Sequence, residues 1–291
     1  MNTIQTIAVV GATGMLGAPV TKVLKQKGYS VTAVVRDMQK AQRKLGAEIH
    51  LLKGDLTDKG SLRTAFADVD FVYLSLSTAP DEKNSDFKTE IDGLINVIEA
   101  AKSARVKRIG FLSSLVKDYK DTQWWVFDIK NEACRILKEA DIPVTIFYPS
   151  SFFENLTHLQ MKGNRVLLAG NQITKSWWIR AEDYGMQVAN AFRVDREHSE
   201  DREYFIQGPE PFNMEEAADE FIKHHPNPKL KKSTAPLGAF KLLKPFSASI
   251  DFQYHILYAI HHYDEQFQSE ETWEKLGKPQ STLAEWASEH Q

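Results

Sequence analysis

The chain has 291 residues, of which 42% are hydrophobic and 26% charged, and its formal net charge at pH 7 is −3. This length and composition predict a globular protein with one large core, or one domain and a small appendage. The charge argues against a direct nucleic-acid partner. No apolar run reaches the roughly 18 residues that span a bilayer, and the N-terminus lacks the pattern of a signal peptide. The sequence therefore predicts a cytoplasmic protein with no membrane partner.

The one cysteine, Cys134, excludes an internal disulfide and is expected to be a buried structural thiol.

The N-terminal segment joins a short apolar strand, Ile7–Val10, to the turn Gly11-Ala12-Thr13-Gly14-Met15-Leu16-Gly17. Gly11 permits a tight turn, Gly14 removes a side chain where the backbone approaches a phosphate, and Gly17 lets a helix pack close to the strand. A helix that starts here points its unpaired N–H groups at a pyrophosphate. The spacing is Gly-x-x-Gly-x-x-Gly. Its position between a strand and a helix favours a dinucleotide site over an ordinary turn.

Strand and helix patterns alternate through the first half of the chain. Helical periodicity is clearest over Met15–Gln26, Asp92–Ala104 and about Gln123–Ala140. This alternation predicts an α/β fold, a doubly wound parallel sheet of the Rossmann type. Six nearly continuous apolar runs are typical of strands buried on both faces: Ile7–Val10, Val31–Val35, Ile49–Leu52, Phe71–Leu74, Arg108–Leu112 and Val144–Tyr148.

After Pro149 the alternation becomes irregular. We therefore predict an NAD(P)-binding Rossmann domain over residues 1–150 and a smaller, mostly helical substrate-binding region over residues 151–291. The second region is expected to pack on the first and to be partly interleaved with it. The short basic run Lys229–Lys232 is interpreted as a solvated loop. Further strand and helix patterns lie at Val166–Leu168, Asp183–Phe192, Tyr204–Ile206, Met214–His224, Phe252–His262 and Leu283–Glu289.

The residue after the second strand bears on which cofactor is bound. Arg36 stands where an Asp or Glu would bind the adenosine ribose of NAD, and its guanidinium suits a 2′-phosphate. The sequence therefore favours NADP, with NAD less favoured but kept open by Asp37. A solvated charge at a strand end is the alternative interpretation of Arg36. Lys40 is a candidate second phosphate ligand.

Polar residues also follow the next three strands, at the carboxyl ends where sheets of this kind bind ligands. Asp55 is placed to bind the adenine amino group, and Leu56 to cover the ring. The alternative for Asp55 is a cap of the helix that starts near Asp58. The fourth and fifth strands end in small hydroxyl residues, among them Ser75, Ser77 and Ser113.

Together these segments resemble the NmrA-like family, a branch of the atypical short-chain dehydrogenases/reductases. The resemblance covers nearly the whole chain and implies NAD(P) binding, with Lys130 on the nicotinamide ribose. It rests on Gly11–Gly17, Val35-Arg36-Asp37, Gly54-Asp55-Leu56, Leu112-Ser113-Ser114, Lys130, Tyr148–Leu156, Ala181-Glu182-Asp183, Leu276–Pro279 and Leu283–Trp286. With the motifs above, it implies these cofactor-binding residues: Gly11, Thr13, Gly14, Met15, Leu16, Gly17, Arg36, Asp55, Leu56, Ser75, Ser77, Ser113, Lys130, Tyr148, Pro149, Ser151 and Phe152.

One position departs from that pattern. Short-chain dehydrogenases usually carry a catalytic Tyr four residues before the active-site Lys, and here that position is Val126, which has no proton to give. Lys130 and Tyr148, at the end of the sixth strand, are the catalytic candidates that remain. Tyr119 lies too far upstream for the helical relationship.

The missing Tyr favours acceptors that need little acid help, since a positioned acid contributes about 10²–10⁴-fold to ordinary carbonyl reduction. We expect hydride transfer from NADPH to a quinone-like or other electron-poor conjugated acceptor. The alternative is an NAD(P)-binding redox sensor or transcriptional co-regulator with little catalysis, which would need a regulatory protein partner.

Aromatic pairs near the carboxyl face suit a flat aromatic substrate, although core packing explains them equally well. These pairs are Trp124-Trp125, Phe152-Phe153 and Trp177-Trp178. The histidine pairs His224-His225 and His261-His262 would point apart on helices, so no metal is expected.

Overall fold

The computed structural model describes residues 4–83, 86–119 and 124–290. Seven strands form one parallel sheet in the order β10-β6-β5-β4-β1-β2-β3, which confirms the doubly wound Rossmann fold. These strands are β1 (Thr6–Val10), β2 (Ser30–Val35), β3 (His50–Lys53), β4 (Phe71–Leu74), β5 (Arg108–Leu112), β6 (Val144–Pro149) and β10 (Arg202–Ile206). The strand order reverses between β1 and β4, and ligands of such sheets bind at this point.

Helices cover both faces of the sheet because successive strand residues point to opposite sides. Ile7 and Val9 join one buried layer, and Ala8 and Val10 join the other. The first layer lies under α1, α2 and α6, and the second under α3, α4 and α5. These helices are α1 (Gly17–Gln26), α2 (Met38–Leu45), α3 (Lys59–Ala65), α4 (Asp92–Ala104), α5 (Trp125–Lys138) and α6 (Ala181–Val194).

Part of the second half forms a small core of its own, which contains Phe153, Trp178, Phe221 and Trp286. The helices that follow α6 in the chain are α7 (Met214–His224), α8 (Leu237–Leu243), α9 (Ala248–His262), α10 (Glu270–Leu276) and α11 (Leu283–Glu289). The remaining strands are β7 (Met161–Lys162), β8 (Arg165–Ala169), β9 (Ser176–Trp178), β11 (Glu210–Phe212) and β12 (Lys231–Ala235), arranged in two small sheets. Among the described residues, no helix is long and apolar enough to cross a membrane.

Two sequence-based expectations need correction here. The main sheet has seven strands rather than six, because Arg202–Ile206 pairs in parallel with β6. A strand from the second half therefore completes the first-half sheet, and α6 packs beside α1. The basic run Lys229–Lys232 is not simply a loop. Its second half enters β12, and Lys232 Nζ lies 2.9 Å from Glu215 Oε1 and 2.7 Å from Asp219 Oδ1.

Most predicted element boundaries lie close to the observed ones. Asp92–Ala104 and Met214–His224 are helices with the predicted ends, and Phe71–Leu74 is the predicted strand. The helix expected from about Gln123 begins at Trp125, and Gln123 itself lies outside the described residues. Cys134 is buried, and burial raises the pKa of its thiol, as expected of a structural cysteine.

A buried carboxyl group ties the segment after β6 to the start of α6. Both oxygens of Glu154 accept from the Ala181 N–H at the start of that helix, at 3.1 and 3.2 Å. Burial raises the pKa of Glu154 from 4.5 to about 7. Between those two values the folded state binds one proton more than the unfolded state, so this group's stabilising contribution is complete below pH 4.5. It is lost as the pH rises through about 7.

We expect Glu154→Gln to remove this pH dependence, because the neutral amide can still accept from the Ala181 N–H. The free energy of unfolding of the wild type, relative to that of the variant, should fall by up to about 3 kcal/mol between pH 5 and pH 8. Urea unfolding of both proteins at the two pH values measures this difference. A constant difference would show that Glu154 titrates normally.

Candidate functional site

The glycine turn is shaped by two close backbone approaches. Gly11 has a φ of +81°, and a Cβ there would lie 2.2 Å from the Ser75 carbonyl oxygen at the end of β4. A Cβ on Gly17 would lie 2.1 Å from the Gly11 carbonyl oxygen, so α1 starts in contact with the turn. Only glycine fits at these two positions, as the motif predicted.

The first turn of α1 has no side-chain cap. The helix begins at Gly17 with Leu16 at its N-cap, and no side chain caps its N–H groups. Helix N-termini leave their first N–H groups without partners inside the helix, and these groups together with the helix dipole favour an anion. The turn therefore fits the pyrophosphate of a dinucleotide.

A cavity of about 410 Å³ extends from this turn across the carboxyl ends of β2, β3 and β4. It brings together eight of the predicted cofactor residues: Gly11, Thr13, Gly14, Arg36, Asp55, Leu56, Ser75 and Ser77. We call this space the outer cavity. Its walls come from the two sides of the strand-order reversal, which is where a doubly wound sheet binds a nucleotide.

The acidic residues around the outer cavity have different roles. Asp37 caps α2 by accepting from the Lys40 N–H at 2.9 Å. Asp55 accepts from the Thr57 N–H at 2.9 Å, and these bonds from Thr57 hold the pKa of its carboxyl low. Asp58, rather than Asp55, caps α3. Arg36 lines the cavity.

A second cavity of about 240 Å³ continues along the sheet toward β5 and β6, and we call it the inner cavity. Leu76 and Ser77 line both cavities, so the two spaces adjoin. The inner cavity brings together Leu16, Ser77, Ser113, Lys130, Pro149, Ser151 and Phe152. A dinucleotide lying across both cavities would place its adenosine in the outer one and its nicotinamide in the inner one.

Lys130 enters the inner cavity from α5 and is held by a buried acid. Its Nζ donates to Glu90 Oε2 at 2.9 Å and to Oε1 at 3.1 Å, and the Glu90 side chain is fully buried. Glu90 Oε1 also accepts from the Thr78 N–H and hydroxyl, at 2.8 and 3.0 Å. Since an ammonium group has three donors, Lys130 keeps capacity for a ligand hydroxyl.

Tyr148 is directed away from this site. Its hydroxyl donates to Glu203 Oε1 at 2.6 Å, and its ring lines a different cavity with Lys117, Lys138 and Glu203. Burial raises the pKa of Tyr148. This placement does not suit an acid acting on a ligand beside Lys130. Of the predicted cofactor residues, Met15, Gly17 and Tyr148 line neither the outer nor the inner cavity.

The aromatic pairs are mostly packing elements. Trp124 stacks against His255 with ring centroids 5.4 Å apart, and Trp177 lies 4.5 Å from Phe267. Phe153 and Trp178 belong to the small core. Of the six residues in these pairs, Phe152 alone lines the inner cavity. The packing interpretation therefore accounts for most of the pairs.

Several residues of the inner cavity were not predicted. Ile256 and Ile260 come from α9, and Tyr263 and Glu265 from the segment after it. Glu90, the partner of Lys130, lies just before α4. No local pattern marks these residues, because each reaches the site through long-range contacts.

The fold is similar to that of solved reductases. An NADPH-dependent quinone oxidoreductase from Escherichia coli matches with a TM-score of 0.70 and 25% identity over 97% of this chain and 98% of that one. The triphenylmethane reductase of Citrobacter sp., solved with NADP(H), matches with a TM-score of 0.73 and 20% identity, again over 97% and 98%.

Sequence comparison gives a second group of relatives. The photosystem II assembly factor Ycf39 of Guillardia theta is 31% identical over 158 residues, which are 52% of this chain and 48% of that protein. The chain thus spans about half the length of the curated relatives it matches. The sequence profile of the NmrA-like family matches residues 3–287. The chain therefore belongs to the NmrA-like family.

Proposed function

We propose that the protein binds NADPH and reduces a small-molecule acceptor. The observation that carries this proposal is the pair of adjoining cavities along the carboxyl edge of the sheet, with the glycine turn at one end and Lys130 at the other. NADPH supplies a hydride when it is bound. The protein's own residues would orient the ring beside the inner cavity and exclude water from it. The likeness to the quinone oxidoreductase supports the same class of reaction.

The outer cavity supports NADPH over NADH. Arg36 lines it, while the neighbouring carboxylate Asp37 is occupied as the cap of α2. The Asp55 carboxylate lies within electrostatic reach of Arg36, but hydrogen bonds from Thr57 already hold it. A guanidinium at this position favours a 2′-phosphate over a bare ribose hydroxyl. Lys40 sits in the first turn of α2, and we keep it as a weaker candidate for the same phosphate.

We expect Arg36→Ala to weaken NADPH binding by roughly tenfold to hundredfold, the worth of a hydrogen bond between charged groups. NADH binding should change little, because NADH has no 2′-phosphate. Titration of each reduced cofactor by its fluorescence measures both affinities, with Arg43→Ala, an exposed arginine in the last turn of α2, as the charge control. An equal loss for both cofactors would show that Arg36 does not bind the phosphate.

The inner cavity supports an electron-poor, largely apolar acceptor. Leu16, Leu76, Phe152, Ile256 and Ile260 form much of its wall. No tyrosine precedes Lys130 by one helical turn, since α5 carries the buried Val126 there. A quinone suits such a site because the reduced oxygen is a stabilised phenolate that demands little from an acid.

Turnover with a panel of acceptors tests the proposal. The purified protein would be mixed with NADPH and with quinones, azo dyes and enones, and the loss of reduced-nicotinamide absorbance followed. We expect oxidation of NADPH with at least the quinones. No turnover with any acceptor, together with unequal binding of NADPH and NADP⁺, would support the second candidate, a cofactor-responsive sensor, which Val126 keeps open.

A further inference from the structure

Glu265 places a carboxyl group in the wall of the inner cavity. It follows α9 in the chain, lines the cavity with Lys130 and is 8% exposed. Its hydrogen-bond partners are all neutral: the Ser150 and Ser176 hydroxyls, the Gln207 amide and the Trp177 N–H. A buried carboxyl group without a cationic partner is costly to ionise. Its position inside a ligand cavity, rather than in the core, gives it access to a substrate.

The two oxygens of Glu265 have different surroundings. Oε1 accepts from Gln207 Nε2 at 2.7 Å and from the Trp177 N–H at 3.3 Å, so two N–H donors hold it as an acceptor. Oε2 lies 2.8 Å from Ser150 Oγ. A hydroxyl both donates and accepts, whereas an N–H only donates. A proton on this carboxyl group therefore belongs on Oε2, where Ser150 can accept it.

Ser150 connects this proton to the cavity. It stands directly after β6, its N–H is bonded to the Ile206 carbonyl at 2.9 Å, and it lines the inner cavity. Its hydroxyl can take a proton from Glu265 Oε2 while giving its own to a ligand. The pair thus has the form of a short proton relay that opens into the cavity.

The surrounding charges favour the protonated acid. Lys130 is the cation of the inner cavity, and the buried Glu90 already pairs with it. The cavity-lining residues of α9 are the uncharged Ile256 and Ile260, and those of β9 and the β6 end are serines, Pro149 and Phe152. Tyr263 is the other titratable group in this wall, and burial and then Glu265 raise its pKa. Burial likewise raises the pKa of Glu265.

We propose that Glu265, acting through Ser150, supplies the proton that completes reduction of the acceptor, in place of the tyrosine absent at position 126. This inference rests on the proposed reductase function. Hydride from the reduced nicotinamide brings two electrons to the acceptor, and the nicotinamide is oxidised. The Ser150 O–H bond then breaks as a new O–H or N–H bond forms on the acceptor. Ser150 takes the proton from Oε2, and the Glu265 carboxylate regains one from water.

A spectroscopic experiment tests the proton without any turnover. Infrared spectra at pH 6 would be compared between Glu154→Gln and the double variant that also carries Glu265→Gln. The first substitution removes Glu154, a second buried carboxyl group whose pKa is raised by burial, to about 7. We expect a carbonyl stretch of a protonated carboxylic acid that disappears in the double variant. Identical spectra would overturn the proposal even if the protein is an active reductase.

A kinetic experiment tests what the proton does. Glu265→Gln should lower turnover by about 10²-fold with azo or enone acceptors, which need a proton, and only severalfold with quinones. Ser150→Ala should show the same acceptor dependence. The wild-type rate with the demanding acceptors should fall as the pH rises through the pKa of Glu265. Glu154→Gln is the matched control outside the cavity, with no expected change in rate.

Other outcomes of these kinetics count against the proposal. An equal loss with every acceptor would indicate a packing defect rather than a lost acid. An acceptor-dependent loss in Tyr263→Phe, with none in Glu265→Gln, would assign the proton to Tyr263. Absence of NADPH oxidation in the wild type would refute the reductase function itself, and the infrared comparison would still decide the state of Glu265.

Discussion

Replacing Lys130 with methionine is expected to lower the free energy of unfolding by about 3–5 kcal/mol, because it leaves the Glu90 carboxylate buried without its cation. The Glu90 side chain is fully buried, and Lys130 is 17% exposed. Thr78 still donates two hydrogen bonds to Glu90 in the variant, which offsets only part of the cost. Methionine keeps the length and the helix propensity of lysine, so the change isolates the charge.

Two further variants make this measurement specific. Lys130→Met combined with Glu90→Gln should recover most of the lost stability, because no buried charge then remains. Lys59→Met removes an exposed ion pair with Glu99, whose side chains are 48% and 53% exposed, and should cost at most about 1 kcal/mol. Urea unfolding measures all three. If Lys130→Met alone proved as stable as the wild type, Glu90 would have to be neutral or solvated.

Replacing Gly17 with alanine is expected to weaken NADPH binding by roughly tenfold or more and to destabilise the fold by about 1–3 kcal/mol. The new Cβ would lie 2.1 Å from the Gly11 carbonyl oxygen, a backbone atom that moves only if the turn moves. In the proposed site the N–H groups of this turn would face the phosphates, so its displacement should affect binding and stability together.

Gly238→Ala is the matched control for this substitution. It lies in α8, and a Cβ there would meet nothing within 4 Å. Fluorescence titration with NADPH and urea unfolding should show no loss in this control. Unchanged NADPH affinity in Gly17→Ala would show that the turn is not the phosphate site.

Hydrophobic patterns in the sequence correctly predicted those strands and helices whose ends depend on neighbouring residues alone. β4 and α4 have the predicted ends, because a buried parallel strand needs a continuous apolar run and an amphipathic helix a repeat of 3.6 residues. The glycine turn could be predicted equally well. Close backbone approaches exclude every Cβ at Gly11 and Gly17, so the need for glycine at these positions is visible in the sequence.

The sequence did not show which strands pair in the main sheet. Tyr204–Ile206 has a strand pattern, but nothing in that pattern assigns the strand to the edge beside β6 rather than to a small sheet. The long segment of chain between β6 and β10 leaves no local sign that these two strands pair. Lys231–Ala235 shows the reverse case, where a polar run becomes a strand because β8 offers it an edge.

The sequence by itself determined the fold class, the family and the position of the glycine turn, because these depend on short-range sterics and on periodic burial. The tertiary structure alone decided the partners of the charged and acidic groups in the inner cavity. Glu90 meets Lys130 across 40 positions of sequence, and Glu265 meets Ser150 across 115. Such contacts arise from how helices and loops pack over the sheet, and no local pattern encodes them. The same packing turned Tyr148 toward Glu203 and brought Glu265, which no motif marks, into the site.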